Sequence, residues 1–237
     1  MVKWEDMFYN VVLIGLMFVL PVFAFPLSAA EVGQGFASVE AFIRSLPQGE
    51  RVTGKPEDQG YGDLAGAGRR DWAGVVYAEA EQYRKTRRVV ALVQQADGSY
   101  RVAAQGPEES TDGGTSHNGI DAVRVEQGSV FVSWSWHWHG CTGSAVQQIK
   151  LYKGQWRVVG AELQHANAIQ TDEGYDTGDS ATLSHNLLTG RATIHFTPRK
   201  GKPVTRELRL KPSVELLDDG YDSGAGSVAA FAGYAGC

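Results

Sequence analysis

From Trp72 onward the apolar positions of this chain recur at every second residue, the period at which a β-strand buries one face and shows the other to water. Ten runs carry the alternation: WAGVVYAEA, RRVVALVQQ, SYRVAAQ, DAVRVE, SVFVSWSWHWH, AVQQIKLY, QWRVVGAELQ, ATLSHNLL, RATIHFT and VTRELRL. Asp97-Gly98, Gln127-Gly128 and Lys153-Gly154 separate neighbouring runs with the residues that tight hairpin turns require. The pattern predicts a meander of hairpins over 72–237, forming one antiparallel sheet or two packed sheets. Ahead of it the period changes. Val39, Phe42, Ile43 and Leu46 fall at i, i+3, i+4 and i+7, with Ser38 as N-cap and Pro47 as the stop, which predicts one short helix within 31–47. Residues 48–71 are rich in glycine and charge and have no period, so they read as a loop. The expectation is a mostly β fold, an antiparallel meander or sandwich with one short N-terminal helix.

The first thirty residues follow a different rule. Val11 to Ala30 is an uncharged apolar run, preceded by Lys3 and ending in Ser28, Ala29 and Ala30, the small residues of a signal-peptidase site. Pro21 and Pro26 disfavour a continuous membrane helix. Residues 1–30 are therefore expected to be a signal peptide and 31–237 a single β-rich domain, periplasmic or secreted. The membrane would be a partner only through an uncleaved leader. An oxidising destination gives Cys141 and Cys237 the opportunity to pair, and separately buried thiols are the alternative.

Charge narrows the partners. The whole chain is at −5, and removing Lys3, Glu5 and Asp6 with the leader leaves −4. An acidic balance argues against nucleic acid, since phosphate contacts draw on Lys and Arg. A protein or a small molecule is the expected partner.

Gly62-Asp63-Leu64-Ala65-Gly66-Ala67-Gly68-Arg69-Arg70-Asp71-Trp72, followed by an apolar strand, resembles the calcium-loop core of FG-GAP (VCBS-type) repeats. In those loops alternate side-chain oxygens hold the cation. Here Asp63 and Asp71 match, while Ala65 and Ala67 occupy the two middle ligand positions, so the resemblance implies a degenerate calcium loop that stays empty. A propeller of such repeats needs several copies, and the chain has one. With Gln155-Trp156-Arg157-Val158-Val159-Gly160 and the Asn186-Leu187-Leu188-Thr189-Gly190 turn, the order of elements over 60–220 is similar to a family of exported bacterial proteins to which we attach no activity.

Other candidates for chemistry are sparse. On the VFVSWSWHWH run, alternation puts Trp134, Trp136 and Trp138 on one face and His137 and His139 on the other, the histidines about 7 Å apart. Two histidines at that spacing suit zinc, but a site needs a third ligand, with His117, His165, His185 and His195 as candidates. The competing account is a polar strip opposite a tryptophan-rich core face, or an aromatic docking surface that includes Trp138. Asp172, Glu173, Asp176 and Asp179 surround Tyr175 in an acidic segment, and the pattern returns at Asp218 to Gly224. Asp172, Tyr175 and Asp176 are therefore candidate ligand or partner residues, set in what reads as a solvated loop. Gly178-Asp179-Ser180 lacks the companions a serine hydrolase needs, and no G-x-S-x-G is present. Arg199, Lys200, Lys202, Arg206 and Arg209 mark a basic hairpin, the usual dress of a sheet edge. The expectation is a non-catalytic binding or interaction protein, for example an inhibitor or immunity-type partner of another secreted protein. It calls for no catalytic residue and no cofactor. The rival is a zinc-dependent hydrolase built on His137 and His139.

Overall fold

The computed structural model describes residues 32–79, 85–106, 109–111, 119–138, 141–171 and 174–216. All ten alternating runs form strands, and the chain is mostly β with antiparallel pairing throughout. The first sheet contains β1 (Gly35–Phe36), β2 (Glu50–Arg51), β3 (Gln59–Gly62), β4 (Asp71–Glu79), β5 (Lys85–Gln94), β6 (Tyr100–Gln105) and β7 (Glu109–Thr111). Its strand order is β1-β6-β5-β4-β2, with β3 also on β4 and β7 also on β5. The second sheet contains β8 (Gly119–Glu126), β9 (Ser129–Trp138), β10 (Cys141–Tyr152), β11 (Gln155–Thr171), β12 (Gly174–Asn186), β13 (Arg191–Thr197), β14 (Val204–Arg209) and β15 (Glu215–Leu216). From β8 to β14 every strand pairs with its neighbours in sequence, and β15 adds to β11.

The predicted hairpin turns carry the backbone their residues suggest. Gln127 and Gly128 both have positive φ, 47° and 70°, as do Lys153 and Gly154 at 51° and 78°. Two successive left-handed residues match the right-handed twist of the strands they join. The turn after β12 is held by its own residues: Asn186 Oδ1 accepts from the Thr189 amide at 3.0 Å, and its carbonyl accepts from the Gly190 amide at 2.8 Å. Gly190 has a φ of 70°, and a Cβ there would lie 2.0 Å from the Leu210 carbonyl oxygen, so only glycine fits.

Two apolar clusters define three layers. In β4, odd positions Ala73 and Val75 point toward the second sheet, and even positions Trp72 and Val76 point the other way. The odd side joins Val132, Trp134, Ile149, Leu183 and Ile194 from the second sheet in the main core. The even side is covered by helix α1 (Val39–Ser45), whose Val39 and Phe42 are buried against Trp72, Val90 and Leu92. Ser38 caps this helix, its Oγ accepting from the Ala41 amide at 3.1 Å. The first sheet is thus covered on both faces, which is why its central strand reads as a nearly unbroken apolar run.

Two expectations are corrected. Residues 48–71 are not a loop throughout: β2, a 3-10 turn over Pro56–Asp58 and β3 lie within them. These short strands have no period because they are edge pieces pinned by polar side chains. Arg88 holds Glu50 through both carboxylate oxygens, at 2.9 and 2.5 Å, and Asp58 takes the Thr53 hydroxyl and the Tyr77 hydroxyl, the latter at 2.8 Å. Burial and the Asp58 hydrogen bond raise the Tyr77 pKa well above that of a free phenol. The acidic segment is likewise no loop from Gly174 on, since β12 begins there and pairs Tyr175 with Gln170 and Asp176 with Ile169.

Candidate functional site

The calcium-loop resemblance resolves into a hydrogen-bond arrangement. Asp71, fully buried at the start of β4, accepts from the amides of Leu64 at 2.8 Å and Ala65 at 3.0 Å through one oxygen, and from Gln94 at 2.8 Å through the other. Asp63 accepts from the amides of Ala67 and Gly68, both at 2.9 Å. Five backbone donors therefore converge on the two carboxylates that would have ligated a cation. A loop with alanine in its middle positions keeps its shape because amides, which need no metal, neutralise the two acids. Among the described residues no group of three or more His, Cys, Asp or Glu is placed to hold a metal ion.

The described histidines are dispersed. His137 lies on β9 in register with Thr142, while its side chain, that of Trp138, and all of His139 and His117 lie outside what the structure describes. His165 and His185 share the core-facing row with Leu163 and Leu183, and burial lowers both of their pKa values, which keeps the imidazoles neutral. His195 stands exposed on β13 with Nδ1 2.9 Å from the Thr205 hydroxyl. In the acidic segment Asp172 and Glu173 lie outside the described residues, as do the side chains of Tyr175 and Asp176, and Asp179 accepts from the Arg199 amide at 2.8 Å. Of the tryptophans on β9, Trp134 is in the core as expected. Cys141 opens β10, Cys237 lies outside the described residues, and no disulfide occurs among those described.

Among the described residues, nothing covers the outer face of the second sheet. Register places Arg124, Phe131, Gln148, Gly160, Asn186 and Arg191 side by side on six successive strands, with Arg209 on the seventh. The adjacent row contains Ser133, Val146, Glu162, Ser184, Thr193 and Glu207. A groove of about 510 Å³ runs across the strands between these rows, from Arg124 and Phe131 to Asn186. Its floor is low at Gly160, where a Cβ would approach Gln148 Oε1 to 3.1 Å. The Arg124 guanidinium lies 4.9 Å above the Phe131 ring and pairs with Glu126 at 2.7 Å.

Ser184, His185 and Glu162 all line this groove, a set that could suggest a nucleophile, base and acid. Strand alternation separates them. Ser184 is exposed on the outer face with Glu162, while His185, its neighbour in sequence, is 4 % exposed and belongs to the opposite face. A hydroxyl and an imidazole on opposite sides of a sheet cannot share a proton, so the groove offers hydrogen bonds and charge rather than an activated nucleophile. Of the groove residues only His185 was a candidate in the sequence, as a zinc ligand, and its side chain points to the opposite face. Arg124, Phe131, Gln148, Glu162, Ser184 and Asn186 occupy outward positions of alternating runs, but their convergence depends on four registers between five strands that the sequence alone does not supply. Comparison with protein-family models, with curated proteins and with solved structures found no match.

Proposed function

We propose that this chain is an exported, non-catalytic binding protein that engages its partner through the outer face of the second sheet. One observation carries the reading: the first sheet is covered on one face by α1 and on the other by the second sheet, whereas the second sheet's outer face bears a polar groove with no described element over it. The groove presents a carboxylate, two carboxamides, a hydroxyl and a guanidinium on rigid strands, a set suited to directional hydrogen bonding with a protein surface or a small polar ligand. An inhibitor or immunity-type role for another secreted protein fits a flat, polar, preformed face of this kind. Export by cleavage near Glu31, a Cys141–Cys237 bridge tying the C-terminus back to β10, and descent from an FG-GAP-like unit whose metal site was replaced by amides complete the proposal.

The test is a photoreactive amino acid placed at Ser184, and in a parallel protein at Arg101, an exposed site on the first sheet. Expressed in the native cell envelope, the Ser184 protein should give one discrete adduct that the Arg101 protein does not. Equal adducts from both, or none from Ser184, would remove the outer face from consideration. Metal analysis of the same purified protein separates the rival, because stoichiometric zinc would favour a hydrolase using His137 and His139.

A further inference from the structure

The two edges of the second sheet are treated differently. The β8 edge is covered by the first sheet: β3 lies so close that a Cβ on Gly62 would sit 2.6 Å from Val125 Cγ1, and one on Gly60 would sit 3.1 Å from the Val125 amide. At the other edge β14 pairs with β13 alone among the described residues. The Leu210 amide donates to the Gly190 carbonyl at 2.7 Å, and Arg191 pairs with Arg209 one step along. Leu210 and Gly190 are thus a hydrogen-bonded pair, so by the antiparallel alternation Thr205, Glu207 and Arg209 aim their backbone N–H and C=O groups away from β13, toward the open edge.

This edge concentrates positive charge. Residues 191–211 carry seven Lys and Arg against the single acid Glu207, a local charge of +6, and since the whole chain is at −5 the remainder stands at −11. All seven cations are exposed. Arg191 and Arg209 are directly opposite in a pair that is not hydrogen-bonded, the geometry in which strands bring Cα atoms closest, about 4.5 Å. Neither guanidinium is within ion-pair distance of a carboxylate among the described residues. Charged side chains, lysine above all, discourage edge pairing, but a directly opposed arginine pair is not needed for that. A directly opposed arginine pair costs stability in the free protein, and a counter-charge from outside would recover it.

From this we infer that the β14 edge is a docking site for an extended acidic polypeptide segment of a separate protein, which adds as a further strand. Backbone groups of Thr205, Glu207 and Arg209 would bind the incoming strand, and the cations on both sides and in the 198–203 turn would select acidic side chains. The same charge repels a second copy of this edge, so the device rejects self-pairing while admitting an oppositely charged strand. The inference is independent of the groove on the outer face.

The experiment uses the full chain and four probes: a short synthetic peptide alternating Glu and Thr, its Lys-for-Glu counterpart, the acidic peptide N-methylated at alternate amides, and phosphatidylglycerol vesicles. The acidic peptide should bind, slow the exchange of the Thr205, Glu207 and Arg209 amides, and lose about tenfold in affinity in the Arg191→Gln, Arg209→Gln double variant. Ser184→Arg, in the groove, should leave that binding unchanged, so the two proposals fail separately. Unfolding of the double variant should match wild type or occur at higher temperature, which keeps a binding loss interpretable. Several results would overturn the inference: no peptide binding, equal binding of the Lys or N-methylated peptide, or vesicle binding lost in the double variant with the peptide inert. Slow exchange of the three amides before any peptide is added would also overturn it, by showing the edge already covered by another segment of this chain.

Discussion

The two sheets of this protein solve the problem of edges and faces in opposite ways. The first adds short strands out of sequence order, β1 on β6 and β2 on β4, to a β4–β5–β6 meander and is closed on both faces, and these pieces are fixed by buried polar groups: Asp71 under the Leu64–Ala65 turn, the Arg88–Glu50 pair, and Asp58 between Thr53 and Tyr77. The second is a meander in which each strand pairs with the next, and it needs few such ties because tight turns set its registers. It buries one face and leaves the other polar. Precise internal chemistry thus belongs to the sheet that is closed on both faces, while the sheet with the simpler wiring keeps a face and an edge that no described element covers.

Substitutions at the two sheets should separate accordingly. The largest effect is expected for Glu50→Ala, which strands the Arg88 guanidinium, only 4 % exposed, without its bidentate partner. The loss should be about 3–5 kcal/mol in denaturant unfolding. A cost within that of an ordinary surface change would mean that water reaches Arg88. Next comes Asp71→Ala, which removes the acceptor of three backbone amides and should cost about 3 kcal/mol, with the same melting temperature in calcium and in chelator. A calcium-dependent rise in the wild type would contradict the amide-filled loop.

The pH dependence sharpens the contrast from the second sheet's core side. Burial holds the His185 pKa in the folded protein below its unfolded value, so the unfolded chain takes up a proton that the native state resists. Stability is then fully present above about pH 6.5 and falls as the pH drops below it. His185→Gln should flatten this acid limb, leaving a smaller slope from His165, which burial shifts in the same direction. An unchanged slope would place the proton uptake elsewhere. The smallest effects belong to the open face and edge. Gln164→Ala should stay within about 0.5 kcal/mol of wild type, and Arg209→Glu should stabilise by about 0.2–1 kcal/mol, because it turns the opposed arginine pair into an attractive one.

Much of this fold is legible in the sequence for a physical reason: a period of two reports burial on one face, and the second sheet is buried on one face. The ten runs and the turns at Gln127-Gly128 and Lys153-Gly154 follow directly from it. The edge strands β2 and β3 escaped because two to four residues held by Glu50, Asp58 and their partners leave no periodic trace. The acidic segment around Tyr175 reads as loop because acids and glycine are poor strand formers, yet pairing with β11 overrides that preference. The candidate site was the least visible. Asp63 and Asp71 advertise themselves through a motif but are occupied by amides, whereas Gln148, Glu162, Ser184 and Asn186 are ordinary outward residues that become a groove only once five strands are aligned.

The claim that the second sheet's outer face serves binding and not stability can be tested in one paired measurement. In the protein carrying a photoreactive residue at Gln164, Ser184→Arg should leave the denaturation midpoint unchanged, within about 0.5 kcal/mol, while abolishing the adduct formed in the native envelope. An adduct that survives Ser184→Arg, or one that disappears only because the protein unfolds, would contradict the account.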